Sequence, residues 1–196
     1  MAKDRLKEKE TIARALRVKL DADLHELNSS VSSCRRCPGG GKGLAGAGRP
    51  GARVFFLAGS PGPGSSQDEP WGELKAGILA EIERSFPGIA EEELYFTVAL
   101  RCPGVKVSAR ALRRCSLYLA EEIHLVGPAT VMAFGRPAAV ALRMAMGEDL
   151  PASPRAGDQV ILQGRRYVYN LEPSKLRDPE VGEIFRKILL AAIKGK

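Results

Sequence analysis

The chain is short of several residue types at once. Of its 196 residues 6% are aromatic, with one tryptophan, two histidines and four cysteines. No apolar run approaches the roughly 20 residues of a membrane-spanning helix. The opening residues, Met1 to Lys9, are charged and lack the apolar stretch of a signal peptide. These absences argue against a membrane protein and a secreted disulfide scaffold, and predict a cytoplasmic, monomeric protein. In that compartment four cysteines are expected as metal ligands. The histidines offer little catalytic capacity. His25 falls on a predicted first helix, and His124 near a helix C-terminus, where a cation suits the dipole.

Acidic residues are missing locally. Leu27 to Gln67 contains no Asp or Glu but holds Arg35, Arg36, Lys42, Arg49 and Arg53. Leu94 to Ala120 repeats the pattern with Arg101, Lys106, Arg110, Arg113 and Arg114. All four cysteines lie in these two stretches. With a net charge of +7, the distribution predicts a polyanionic partner, because cations along a phosphate backbone release counterions.

What is present is an alternation of apolar runs and amphipathic segments. Leu6, Ile12, Leu16, Leu20, Leu24 and Leu27 recur at helical steps, predicting a helix over 3–33. Residues 53–58, 94–100, 129–134, 159–162 and 167–171 read as strands, the last two joined by a turn at Gly164. Helices are expected over 72–85, 108–124 (with Ser108 as N-cap), 135–146 and 179–193. Residues 38–52 are rich in glycine and predict a mobile loop. The alternation predicts an α/β fold of three layers, α/β/α, with a mostly parallel central sheet. A charged N-terminal helix over 1–28 precedes one domain over 29–196. A site is expected at the carboxyl ends of the strands, in loops 59–68, 101–106 and 171–177.

The cysteines are spaced Cys34-x2-Cys37, then 64 residues, then Cys102-x12-Cys115. On ligand count alone, four thiolates suit zinc or a [4Fe–4S] cluster equally. Around them stand "GAGRPGARVFFLAGSPG", a Pro-Trp before a helix, "TVALRCPG", "PATVMAFGRPA" and "EPSKLR". In this order the segments resemble the iron–sulfur (family 4) uracil-DNA glycosylases over about residues 20–194. The resemblance implies a DNA-repair fold whose four cysteines hold a [4Fe–4S] cluster. It also implies DNA, single-stranded or damaged, as partner.

Base excision needs a flipped base held in a pocket, a donor for the charge on the leaving base, and a group that positions water. The family supplies these from a GEAPG-type loop, an aromatic after proline, an Asn before the third cysteine, and an HPS loop. Here Gly59 stands in the Glu position, within Ala58-Gly59-Ser60-Pro61-Gly62. Val98 replaces the Asn, and Glu172 the His, before an intact Pro173-Ser174. Trp71 takes the place of a smaller ring. Weak or absent uracil excision is therefore expected, with Asp68, Glu69 and Glu172 as substitute catalytic candidates. Leu176 occupies the family's wedge position, with Arg177 beside it for phosphate, in a loop one residue shorter than usual. The alternatives are a non-catalytic iron–sulfur protein that binds DNA or single strands, and a zinc-stabilised α/β protein of unrelated function.

Overall fold

Five short runs rich in β-branched and aromatic residues form the sheet: β1 (Val54–Ala58), β2 (Leu94–Val98), β3 (Thr130–Phe134), β4 (Gln159–Leu162) and β5 (Arg165–Asn170). A computed structural model describes residues 2–38 and 40–194, with side-chain surroundings from residue 8 onward. The sheet order is β2-β1-β3-β5-β4. All neighbours are parallel except β4 and β5, which form an antiparallel hairpin at one edge. Gln163 and Gly164 both adopt positive φ, at 52° and 76°, as a two-residue hairpin turn requires. This starts β5 two residues earlier than the sequence pattern suggests.

The helices are α1 (Ala2–Ser33), α2 (Glu73–Ser85), α3 (Ala109–Val126), α4 (Gly135–Met146) and α5 (Gly182–Lys194). Strand residues alternate between two cores. Phe55, Leu57, Tyr95, Val131, Ala133, Tyr167 and Tyr169 face α1, α3 and α4. Val54, Phe56, Phe96, Val98, Met132, Phe134 and Val168 face α2 and α5. The expected three layers result. Each fully buried aromatic or aliphatic side chain contributes about 1.5–3 kcal/mol. Among the described residues, no helix is long and apolar enough to cross a membrane.

Local chemistry sets the helix ends. Ser108 caps α3, its hydroxyl accepting from the Ala111 N–H at 3.2 Å. The chain after β5 forms a 3-10 turn over Pro173–Arg177. Asp178 then accepts from the N–H groups of Glu180 and Val181, which delays α5 to Gly182 rather than 179.

Over residues 43–52 the glycine-rich segment is not the mobile loop that its composition predicts. It is a strap packed along the free edge of β2. Ala47 exchanges two backbone hydrogen bonds with Phe96, both 2.8 Å, and Leu44, Ala45, Pro50 and Ala52 are buried. The glycines permit close approach rather than freedom. A Cβ on Gly46 would lie 2.3 Å from Tyr95 Oη and 2.4 Å from Glu122 Oε1. The strap also covers an otherwise open sheet edge.

Beneath it lies a buried ion pair. Glu122 of α3 is 0% exposed and Arg101, just beyond β2, is 2% exposed. Arg101 Nη1 and Nη2 donate to the two carboxylate oxygens at 3.1 and 2.5 Å. Tyr95 Oη and Thr97 Oγ1 also donate to Glu122 Oε1. Glu122→Ala leaves the guanidinium buried without its counter-charge. Urea denaturation is expected to show a loss of about 3–5 kcal/mol, against little change for the exposed neighbour Glu121→Ala.

Candidate functional site

Two features meet at the carboxyl ends of the parallel strands: a thiol-lined cavity and the position where a base pocket is expected. Cys34 and Cys37 follow the last turn of α1, Cys102 follows β2, and Cys115 lies in α3. The fold brings all four to the lining of one small cavity of about 10 Å³, bordered also by Arg36, Arg101, Arg114 and Tyr118. All four are free thiols, three of them buried. Among the described residues, no three His, Cys, Asp or Glu groups gather closely enough to hold one metal ion.

The electrostatics oppose four free thiolates. Burial pushes the Cys102 thiol up to about 11, and the neighbouring Cys115, Cys37 and Cys34 push the same way. Burial also raises Cys115, against a backbone hydrogen bond and the positive charge of Arg101. Arg114 Nη1 donates to the Arg36 carbonyl at 2.6 Å, tying α3 to the Cys34–Cys37 segment. The Arg36 guanidinium lies 5.1 Å from the centre of the Tyr118 ring. Of the basic residues in the two acid-free stretches, Arg101 is withdrawn into the interior. Arg114 is half-buried and the rest are exposed.

The base-pocket position is filled. Trp71 is 0% exposed, and its indole N–H donates to the Thr97 carbonyl at 2.8 Å. It meets Phe96 and Phe134 edge-on, with ring centres 5.3 and 5.2 Å away. Val98 is buried in the same cluster. No face of the indole is free to stack on a base in this conformation.

Other candidates are also placed differently from the sequence reading. A Cβ at Gly59 would come 3.0 Å from Pro137, so this loop has little room for the family's glutamate. Gly62 packs against the Trp71 carbonyl, where a Cβ would lie 2.3 Å away. Ser60 is exposed and Pro61 half-buried. Glu69 does not stand free to activate water. It accepts from the Trp71 N–H at 3.3 Å and binds Lys75 at 2.7 Å, fastening the turn that seats the indole. Asp68 is exposed and borders a polar groove with His25, Ser29 and Arg35.

In the last loop Leu176 is 8% exposed and belongs to the core with α2 and α5. It does not project as a wedge, because the loop forms a 3-10 turn that folds it inward. Pro173 is buried, while Ser174, Arg177 and Glu172 are exposed. The Glu172 side chain lies over Gly135, where a Cβ would come 2.5 Å from Cγ. The sequence reading missed the Arg101–Glu122 pair. Its signal was an acid on the buried α3 face between Leu119 and Val126.

Over 160 residues the chain is 20% identical to a type-4 uracil-DNA glycosylase of Sulfurisphaera tokodaii, covering 78% of this chain and 70% of that protein. No protein-family model matches the chain. The similarity and the three-layer sheet together support a uracil-DNA-glycosylase-like protein.

Because Trp71 is a core anchor, Trp71→Ala is expected to cost about 3–5 kcal/mol of stability while leaving affinity for single-stranded DNA nearly unchanged at temperatures where the variant is folded. Urea denaturation and fluorescence anisotropy measure the two effects. Lost DNA affinity at unaltered stability would return Trp71 to a base-stacking role.

Proposed function

We propose that this chain is a uracil-DNA-glycosylase-like DNA-binding protein whose four cysteines hold a [4Fe–4S] cluster and whose uracil-excision site is closed. The observation that carries the closure is the seating of Trp71 on the Thr97 carbonyl, with Val98 packed beside it. A flipped uracil would have to displace a fully buried indole, and valine offers its edge no hydrogen bond. The exposed Glu172 carboxylate opposes the negative charge that develops on a departing uracil.

The donor set fits an iron–sulfur cluster. It consists of thiols alone, all four on the lining of one small cavity. Arg101 borders that space, and its buried Nε has no hydrogen-bond partner among the described residues while both Nη groups hold Glu122. An orphan buried donor and the cations Arg36 and Arg114 suit an anionic group. When bound, the cluster would cross-link Cys34, Cys37, Cys102 and Cys115. The role of these residues is structural: they fix the Cys34–Cys37 segment and α3 so that their basic side chains face one polyanion. Arg35, Lys42, Arg110 and Arg113 are exposed and fit phosphate contacts.

DNA carrying one uracil, incubated with protein purified without oxygen, is expected to yield no alkali-labile sites. The protein should nevertheless bind that DNA with log affinity falling linearly against log salt, by about 0.9 per phosphate contacted in duplex. Uracil release at a useful rate would overturn the closed-site reading. Cys102→Ala is expected to lose iron and visible colour and to weaken DNA binding. Retention of iron and affinity together would refute the cluster.

A further inference from the structure

On the sheet face opposite Trp71, a second cavity opens beyond the carboxyl ends of β3 and β5. It has a volume of about 440 Å³ and lies between the first turns of α4 and the 152–156 segment. This size falls within the usual range for small-ligand sites, and the end of the sheet is where open α/β folds bind ligands. Ala139, Val140 and Leu171 give it apolar walls. Three polar groups at the cavity are uncommitted. The Glu172 side chain, at the rim, has no hydrogen bond or ion pair among the described residues, and the same holds for the Arg136 side chain at the start of α4. Tyr169 also borders the cavity. It is 2% exposed, and its hydroxyl has no partner among the described residues. Burial pushes that phenol up to about 12, with Tyr167 and Asp158 adding to the shift, so it stays protonated at neutral pH.

These groups are complementary to one kind of ligand. A carboxylate accepts from an exocyclic amine. The Tyr169 phenol, closed off from solvent in this conformation, can pair with a ring nitrogen or carbonyl once the cavity wall shifts to uncover it, and apolar walls suit a heterocycle. A guanidinium at a helix N-terminus suits a phosphate. Lys175, ion-paired to Asp178 at 2.9 Å, adds a second cation at the rim. Uracil and thymine have no exocyclic amine, and their one donor on that edge, the ring N3–H, lies between two carbonyl oxygens that the carboxylate repels. We propose that this cavity is a nucleotide site selective for amine-bearing bases, with Glu172 reading the amine, Tyr169 the ring and Arg136 the phosphate. It rests on the DNA-binding reading only for the strand-borne source of the base. A free mononucleotide presents the same chemistry.

The test is calorimetric titration of the full chain with CMP, AMP, UMP and TMP, beside single-stranded oligomers of one base each. CMP and AMP are expected to bind about tenfold or more tighter than UMP and TMP, the usual value of a hydrogen bond to a charged acceptor. Glu172→Gln should erase that preference, and Arg136→Ala should weaken all four nucleotides alike. Tyr169→Phe removes a hydroxyl without a partner. It should leave the melting temperature of the free protein unchanged or raised, while lowering nucleotide affinity. Selectivity shown by oligomers alone assigns the site to strand-borne bases, and by mononucleotides as well to free nucleotides. Equal affinity for all four bases in both forms, no binding at millimolar concentration, or a preference that survives Glu172→Gln would overturn the proposal. So would a Tyr169→Phe variant that is less stable but binds normally. DNA binding without base preference would sink this inference alone, whereas mononucleotide selectivity without DNA binding would sink the DNA-binding reading alone.

Discussion

The buried pair of Arg101 and Glu122 is the constraint on which the rest of this end of the molecule depends. Two charges removed from water are tolerable only if each is neutralised and hydrogen-bonded. Both Nη groups of Arg101, together with Tyr95 and Thr97, converge on one carboxylate to meet that condition. The pair therefore fixes the end of β2 against α3. Cys102 follows Arg101 directly, and Cys115 lies on the same helix as Glu122. Two of the four thiols are positioned by one electrostatic contact before any metal is considered. The strap completes the arrangement, because only glycine at position 46 lets its backbone lie against Tyr95 and Glu122.

The two sides of the sheet then diverge in what they can accept. On the α2 side, aromatic packing closes the position where the resemblance places a base. Trp71 is hydrogen-bonded, surrounded by rings and tied down by Glu69 through its backbone N–H. Opening it would lose dispersion contacts and a hydrogen bond together. On the α4 side, the Glu172 carboxylate lies over a glycine and borders open space. The side chains at 71 and 98 thus fill the core on one side, while that at 172 leaves a polar group uncommitted beside another cavity.

The sheet and its helices were legible because their signal is periodicity. Alternating apolar runs and 3.6-residue patterns gave the strands, the layers and the Ser108 cap. Errors arose where composition stood in for contact. Glycines at 43, 46 and 48 read as freedom but serve close packing. Leu176 holds a wedge position in the motif, yet the 3-10 turn of its loop turns it into the core. Trp71 had the right position and the wrong surroundings, because its partners come from β1, β2 and β3, far away in the chain. The four cysteines were grouped by their number and spacing, and their common cavity depends on the long-range pairing of α1 with α3.

Net charge illustrates the same distinction between position and role. Arg101 belonged in the sequence to a run of cations free of acids, and on that ground it counted toward a DNA-facing surface. In the structure it faces inward, and its counter-charge is Glu122, the second residue after the acid-free stretch ends. A surface arginine would add long-range attraction that salt screens. A buried, paired one adds specificity of shape, because it is satisfied by only one arrangement of β2, α3 and the strap. The basic surface and the thiol cavity are therefore not separate features. The interior arginine sets where two of the thiols stand, and the cations beside those thiols inherit their placement from it.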